Sequence, residues 1–269
     1  MMALDQAIAA AERTEVARHL IAQAQTDLVD LVTLSALELC VLDGPRHALF
    51  DERVAHAWTR AGDRRRRQVT EEVTAGLVRR GLLIEDRPAD AARQSGSAYA
   101  LKPELGLMLA ARCRPSFVVV AAGEGAGLRP LSIFALGDQA ELVRGFVAEV
   151  PAELPPDRAA HYPKAARLGP LGWIYRYVLV SPATAAEILA RWTIAPPRQQ
   201  GAAVPTRYLV SACHPNRESP ARYRLGVTGD GSRALVDGPG LGAGDLARAE
   251  YDIEGLGAIM LKLLTGASR

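Results

Sequence analysis

The chain has 269 residues, of which 49% are hydrophobic and 23% charged, so it is not disordered as a whole and can bury one large core or two modest ones. A formal net charge of +2 excludes a protein that coats nucleic acid through bulk charge alone. There is no apolar stretch of membrane-spanning length and no secretory signal pattern, so we expect a cytoplasmic protein without a membrane partner, and the arginine- and alanine-rich composition suggests a bacterial source.

The first part of the chain predicts an N-terminal helix within residues 1–29, followed by a winged-helix-like region at 30–115. Ser35 and Glu38 have the spacing of a capping box, in which each side chain satisfies a backbone amide at a helix start. Asp51 is suited to cap a second helix.

A third helix is predicted from about Arg64 to Gly81, since glycine is the usual residue for a left-handed helix end. Two short strands at 82–85 and 97–101 then predict a ribbon, and Pro103 suits the first position of a further helix. Three helices followed by a two-stranded ribbon is the layout of a winged helix-turn-helix.

Residues 116–269 predict an α+β region with a largely antiparallel sheet and flanking helices. Proline-rich stretches at 151–170 and 195–205 interrupt it and predict irregular excursions. The predicted strands lie at 117–120, 131–136, 173–180, 207–212, 222–227 and 233–236.

Three helices are expected among these strands. Asp138 and Glu141 have capping-box spacing and predict a helix that extends through Phe146 and Val150. Ser181 and Asp252 predict the caps of the other two.

Two patterns in the chain resemble catalytic or cofactor motifs, and neither has the required context. Gly123, Gly125 and Gly127 follow a strand but lead into another strand, so they predict a hairpin connection and no dinucleotide site. Cys213 and His214 follow a predicted strand, and neighbours in a regular extended strand point to opposite faces, so we expect a buried cysteine beside a loop histidine. No cysteine or histidine has metal-ligand spacing. We therefore expect no enzyme activity, no cofactor and no metal.

The strongest functional signal is the arginine run Arg64, Arg65, Arg66 and Arg67 at the start of the third helix, where the helix dipole disfavours cations. Arg79 and Arg80 extend the run at the other end of that helix. Three interpretations stay open: a solvated and internally paired helix face, a contact with duplex DNA in which arginine reaches phosphates or guanine, and a contact with an acidic protein surface.

Several short motifs resemble the EspG family, the cytosolic chaperones of mycobacterial type VII secretion. They are Leu34-Ser35-Ala36-Leu37-Glu38, Leu77-Val78-Arg79-Arg80-Gly81-Leu82-Leu83, Leu101-Lys102-Pro103-Glu104-Leu105, Arg112 with Pro115, Val150-Pro151 and the helix from Leu256 to Leu264. The resemblance covers most of the chain and implies a chaperone or adaptor that binds a PE–PPE-like helical protein without catalysis. The alternative from the residues themselves is a winged-helix transcriptional regulator with a C-terminal region for dimerisation or ligand sensing. Both the chaperone and the regulator interpretation allow the protein to form a homodimer.

Overall fold

The computed structural model describes residues 2–43, 51–85, 99–123, 128–137, 145–153, 169–194, 207–213, 221–227, 234–237 and 250–266. The helices in this part of the chain are α1 (Met2–Glu12), α2 (Glu15–Gln23), α3 (Ala36–Asp43), α4 (Glu52–Arg60), α5 (Asp63–Arg79), α6 (Pro103–Cys113), α7 (Pro182–Ile194) and α8 (Ile253–Gly266). The strands are β1 (Val29–Ser35), β2 (Leu83–Glu85), β3 (Tyr99–Leu101), β4 (Val118–Gly123), β5 (Leu131–Leu136), β6 (Gly145–Ala152), β7 (Ile174–Val180), β8 (Arg207–Cys213), β9 (Ala221–Val227), β10 (Ala234–Asp237) and β11 (Glu250–Tyr251).

The fold is α+β, as predicted. One nine-stranded sheet has the order β1-β7-β6-β5-β4-β8-β9-β10-β11, and β2 and β3 form a separate two-stranded ribbon. Every strand pair with a described register is antiparallel. Sequential pairs such as β4–β5 and β8–β9 can be antiparallel without a helical crossover, whereas the β4–β8 pair joins strands that are distant in the chain.

The chain divides into two compact units, and each is discontinuous in sequence. Unit 1 contains Met1–Gln23, Asp30–Cys113 and Ala152–Tyr177, and unit 2 contains Ala24–Val29, Arg114–Pro151 and Val178–Arg269. The expected domains at 1–29, 30–115 and 116–269 stay a prediction, since two compact units are not by themselves independently folding domains. The expected excursion at 195–205 and most of the one at 151–170 lie outside the described residues.

The N-terminal segment forms two helices where the periodicity predicted one. The break lies between α1 and α2, and the Thr14 hydroxyl there accepts a hydrogen bond of 3.1 Å from the Ala17 amide. That contact makes Thr14 the cap of α2, because a hydroxyl that satisfies a first-turn amide favours a new helix start. In unit 1, α1 then packs so closely on α6 that a Cβ added at Gly106 would lie 2.2 Å from the Ala11 Cβ.

The helix predicted from the Asp138 and Glu141 spacing is wrong over its described part. Phe146 and Val150 belong to strand β6, which pairs with β5, while residues 138–144 lie outside the described chain. Five consecutive residues at the start of β6 are buried. A strand buried on both faces has a continuous apolar run without the alternation that identifies strands, so its pattern also fits a helix.

The chain from β4 to α8 contains two similar successions of elements. The strands β4, β5, β6 and β7 precede α7, and β8, β9, β10 and β11 precede α8, so β4 and β8 are the central pair and each series continues outward. Ser181 and Asp252 cap the two helices at equivalent places, each accepting from an amide three residues later. The helices pack against each other and contribute to one apolar core with residues of β4, β5, β6 and β8. This arrangement agrees with a loose internal duplication.

Among the described residues, no helix combines the length and hydropathy needed to cross a bilayer.

Candidate macromolecular interface

In the described part of unit 1, helices α4 and α5 are joined by a two-residue connection. Asp51 caps α4 by accepting a hydrogen bond of 3.0 Å from the Arg53 amide, as its position in the sequence predicts. Only Ala61 and Gly62 separate α4 from α5, and Gly62 has a φ of 66°, a conformation that glycine adopts without strain. The β2–β3 ribbon follows α5, so the order of elements is the one predicted for a winged helix.

Helix α5 is unusually exposed for its length. It has 17 residues, and Leu77 is the one that is fully buried. Most of the helix surface therefore faces solvent. Four of its five arginines are exposed, and so are the carboxylates of Asp63, Glu71 and Glu72. A long helix with so little burial leaves a large part of its surface in contact with solvent.

The arginine run divides into exposed and partly covered side chains. Arg64, Arg65 and Arg67 are exposed, while Arg66 is partly covered and lies 2.5 Å from an Asp63 oxygen. The Asp63 side chain is itself exposed, so this ion pair contributes little to stability. Its effect is to neutralise one of the four predicted contact residues.

A second face of α5 is linked along the helix by side-chain hydrogen bonds. Arg65 donates to the Gln68 amide oxygen at 3.4 Å, and Gln68 donates to Glu72 at 3.1 Å. A cation, an amide and a carboxylate thus follow one another over about two helical turns and are joined by hydrogen bonds. In the sequence the arginines form one block, but on the folded helix they lie beside carboxylates, so the surface carries both positive and negative charges.

Arg79 and Arg80 are neighbours in sequence with different surroundings. Arg79 is exposed, whereas Arg80 donates to the Glu38 carboxylate at 2.5 Å and to the Thr33 carbonyl at 2.6 Å. Glu38 also accepts hydrogen bonds from the amide and the hydroxyl of Ser35, which forms the predicted capping box. Arg80 therefore holds the start of α3 to the end of α5, and its fork is already occupied by groups of its own chain.

The motifs that carry the family resemblance meet in this framework. Ser35 and Glu38 come from the first motif and Arg80 from the second, and the Lys102 amide of the third donates to the Leu82 carbonyl at 3.0 Å. Pro103 then begins α6, as predicted. These motif residues therefore contribute contacts between neighbouring elements of unit 1.

A buried charged cluster, which sequence reasoning missed, lies at the end of α3. Arg112 Nε is 3.2 Å from Asp43 Oδ2, without hydrogen-bond geometry between those two atoms, and both side chains are 1% exposed. The Cys113 thiol donates to Asp43, and burial raises the pKa of the nearby Cys40 thiol to about 12. A neutral thiol at physiological pH is a poor nucleophile, so Cys40 is part of the core. No signal in the sequence links these residues, because α3 and α6 are distant in the chain.

The remaining candidates are only partly within the described residues. Cys213 ends β8 with partial exposure, and His214, Gly125 and Gly127 lie outside the described residues. Within those residues no three His, Cys, Asp or Glu side chains are placed to share a metal ion.

A shallow depression of about 370 Å³ lies along α5. Its lining consists of Asp63, Arg66, Arg67, Thr70 and Glu71, which follow one another at helical spacing. The depression is thus a charged groove on one face of α5, and we call these five residues the α5 groove.

Comparison of the chain with protein-family models, with curated proteins and with solved structures finds no match.

Proposed function

We propose that this chain is a cytoplasmic, non-enzymatic binding protein, an EspG-like chaperone or adaptor that uses α5 to hold a helical protein partner. The observation that carries the proposal is the mixed charge of the exposed α5 surface. The exposed arginines Arg64, Arg65 and Arg67 are followed by the exposed glutamates Glu71 and Glu72 within about two turns. A protein surface offers both signs of charge to such a mosaic, and complementary charges give an interface its specificity.

A DNA backbone fits the same surface less well. Phosphates carry a single sign of charge, so Glu71 and Glu72 would face repulsion wherever Arg67 reached a phosphate. Arg66 is paired with Asp63, and Arg80 is engaged inside the chain. Of the six arginines expected to contact an anionic partner, four therefore remain exposed, and three of these lie within one turn of each other.

The resemblance to the EspG family supports a protein partner through a different route. The motifs that carry it form the contacts between α3, α5, β2 and α6. Motifs of this kind hold neighbouring elements of unit 1 together, and a fold shared with that family would favour the binding of a helical client. The client-contacting residues are then expected on the exposed sides of this framework, of which α5 is one.

The proposal is tested by affinity capture from the native host with three baits. Wild-type protein is compared with R64E/R67E, which reverses two exposed charges on α5, and with R18E, which reverses an exposed arginine on α2. We expect one predominant protein to be captured by wild type and R18E and to be lost with R64E/R67E. Recovery of that protein by all three baits would remove α5 as the binding surface, and recovery of nucleic acid alone would contradict a protein partner.

The alternative is a winged-helix transcriptional regulator, and the Ala61–Gly62 turn between α4 and α5 is the observation that favours it. Its test is fluorescence anisotropy with a labelled duplex at increasing salt. Three phosphate contacts from the exposed arginines predict a slope of about −3 in a plot of the logarithm of the association constant against the logarithm of the salt concentration. In R64E/R67E this slope should be less steep, because two of the contacts are lost.

A further inference from the structure

The α5 groove contains an arginine and a carboxylate that do not pair with each other. Arg67 and Glu71 lie one helical turn apart, yet the described residues contain no ion pair between them or from either to another group. Glu187 and Arg191 in α7 have the same spacing in the opposite order, and they form an ion pair of 2.8 Å. A helix favours the acidic residue N-terminal to the basic one, which explains why the pair forms in α7 only.

The reversed order leaves both charges of the α5 groove available to an external partner. From the N-terminal to the C-terminal end, the groove has Asp63 paired with Arg66, then Arg67, and then Glu71. If two such helices lie antiparallel, Arg67 of one can lie opposite Glu71 of the other. The surface is therefore complementary to itself under a two-fold axis, which is the property that an isologous interface requires.

We infer that the α5 groove binds a second copy of this chain, with the two α5 helices antiparallel and Arg67 of each copy opposite Glu71 of the other. This inference rests on the proposed function, in that α5 is a protein-binding surface, and it names one occupant of that surface. The dimer covers the groove in the absence of a client, so a helical client competes with self-association. Charge complementarity selects this occupant because both members of each new pair are supplied by the chain itself.

The test is sedimentation equilibrium of the full chain from about 1 to 200 µM, a range that includes the affinities of weak protein dimers. We expect wild type and the control R18E to dimerise reversibly. R67E and E71R should each raise the dimer dissociation constant by at least about tenfold, because the two-fold axis makes each substitution act twice and replaces attraction with repulsion.

Charge exchange between two copies provides the decisive measurement. An equimolar mixture of R67E and E71R should form a heterodimer, because the two glutamates of one copy then lie opposite the two arginines of the other. The double variant R67E/E71R has the same order of charges as Glu187 and Arg191, so the two side chains should pair within the helix and the dimer should be weaker than that of wild type. A wild-type chain that is monomeric throughout this range would overturn the inference. So would a mixture of R67E and E71R that stays as weakly associated as either variant alone, since the dimer contact would then not join these two residues.

The failure of self-association is distinguishable from the failure of the proposed function. A monomeric wild type whose captured host protein is lost in R64E/R67E refutes the self-pairing alone. A dimer that follows the charge exchange, with nothing but nucleic acid recovered from the host, supports the self-pairing and refutes the adaptor function.

Discussion

Replacement of Arg80 by alanine tests whether this arginine stabilises the fold or serves a partner. The substitution removes the cation that contacts the Glu38 carboxylate and the Thr33 carbonyl. Breaking a buried charge pair by removing one partner costs about 3–5 kcal/mol. The Arg80 side chain is 22% exposed and that of Glu38 10%, so water reaches part of the pair. We therefore expect the free energy of unfolding to fall by about 2–3 kcal/mol in R80A.

Urea denaturation followed by circular dichroism measures this change, and Arg79 provides a matched control. R79A removes the same side chain from the exposed neighbouring position, so its free energy of unfolding should stay within about 0.5 kcal/mol of wild type. If R80A were as stable as R79A, the structural role of Arg80 would be refuted, and Arg80 would return to the set of candidate contact residues.

Three further substitutions test the packing, the buried charges and the helix caps, each by chemical denaturation. Gly106→Ala should lower the free energy of unfolding by about 1–3 kcal/mol, because its Cβ would lie 2.2 Å from a side-chain carbon of α1. Gly76→Ala is the control: no atom lies closer than 3.9 Å to its Cβ, so it should raise the free energy of unfolding by up to about 1 kcal/mol. Equal effects of the two substitutions would contradict the α1–α6 contact. Asp43→Asn should cost about 3–5 kcal/mol, since Arg112 then keeps a buried charge without its carboxylate, and a loss below about 1 kcal/mol would show that the cluster is hydrated. Ser181→Ala should cost about 1 kcal/mol by removing the cap of α7, and no change would mean that the hydroxyl does not cap in solution.

The helix starts that depend on local chemistry were predictable from the sequence. Ser35, Asp51, Ser181 and Asp252 each cap the helix they were expected to cap. A cap involves a side chain and an amide two or three residues away, so its signal lies within one short segment. The exception is Asp138, whose spacing predicted a helix over a segment that continues as strand β6.

Strand β1 was not predicted, although its sequence contains the branched residues Val29, Val32 and Thr33. Asp30 alone is exposed among its seven residues, and it pairs with Arg176 on β7. The choice of strand for this segment depends on β7, which lies far away in the chain and completes the sheet beside it. Tertiary pairing of this kind is absent from a single short window of sequence.

The candidate site was predictable only as a list of arginines. Arg79 and Arg80 are equivalent in the sequence, and only the fold places Glu38 beside one of them. Likewise, the sequence contains Glu71 and Glu72 near the arginine run, but their exposure together with Arg67 depends on how little of α5 is buried. Charge mosaics of this kind are properties of a surface, so they become visible when the core is known.

The most direct test of the binding role of α5 is photo-crosslinking in cells of the native host. A photoreactive amino acid placed at Thr70, within the α5 groove, is compared with one at the exposed Ala22 on α2. We predict that the probe at Thr70 captures polypeptide, as a second copy of the chain or a helical client, and that the probe at Ala22 does not. The binding role of α5 would be contradicted if the probe at Thr70 formed adducts with nucleic acid alone. It would also be contradicted if both probes captured the same polypeptides.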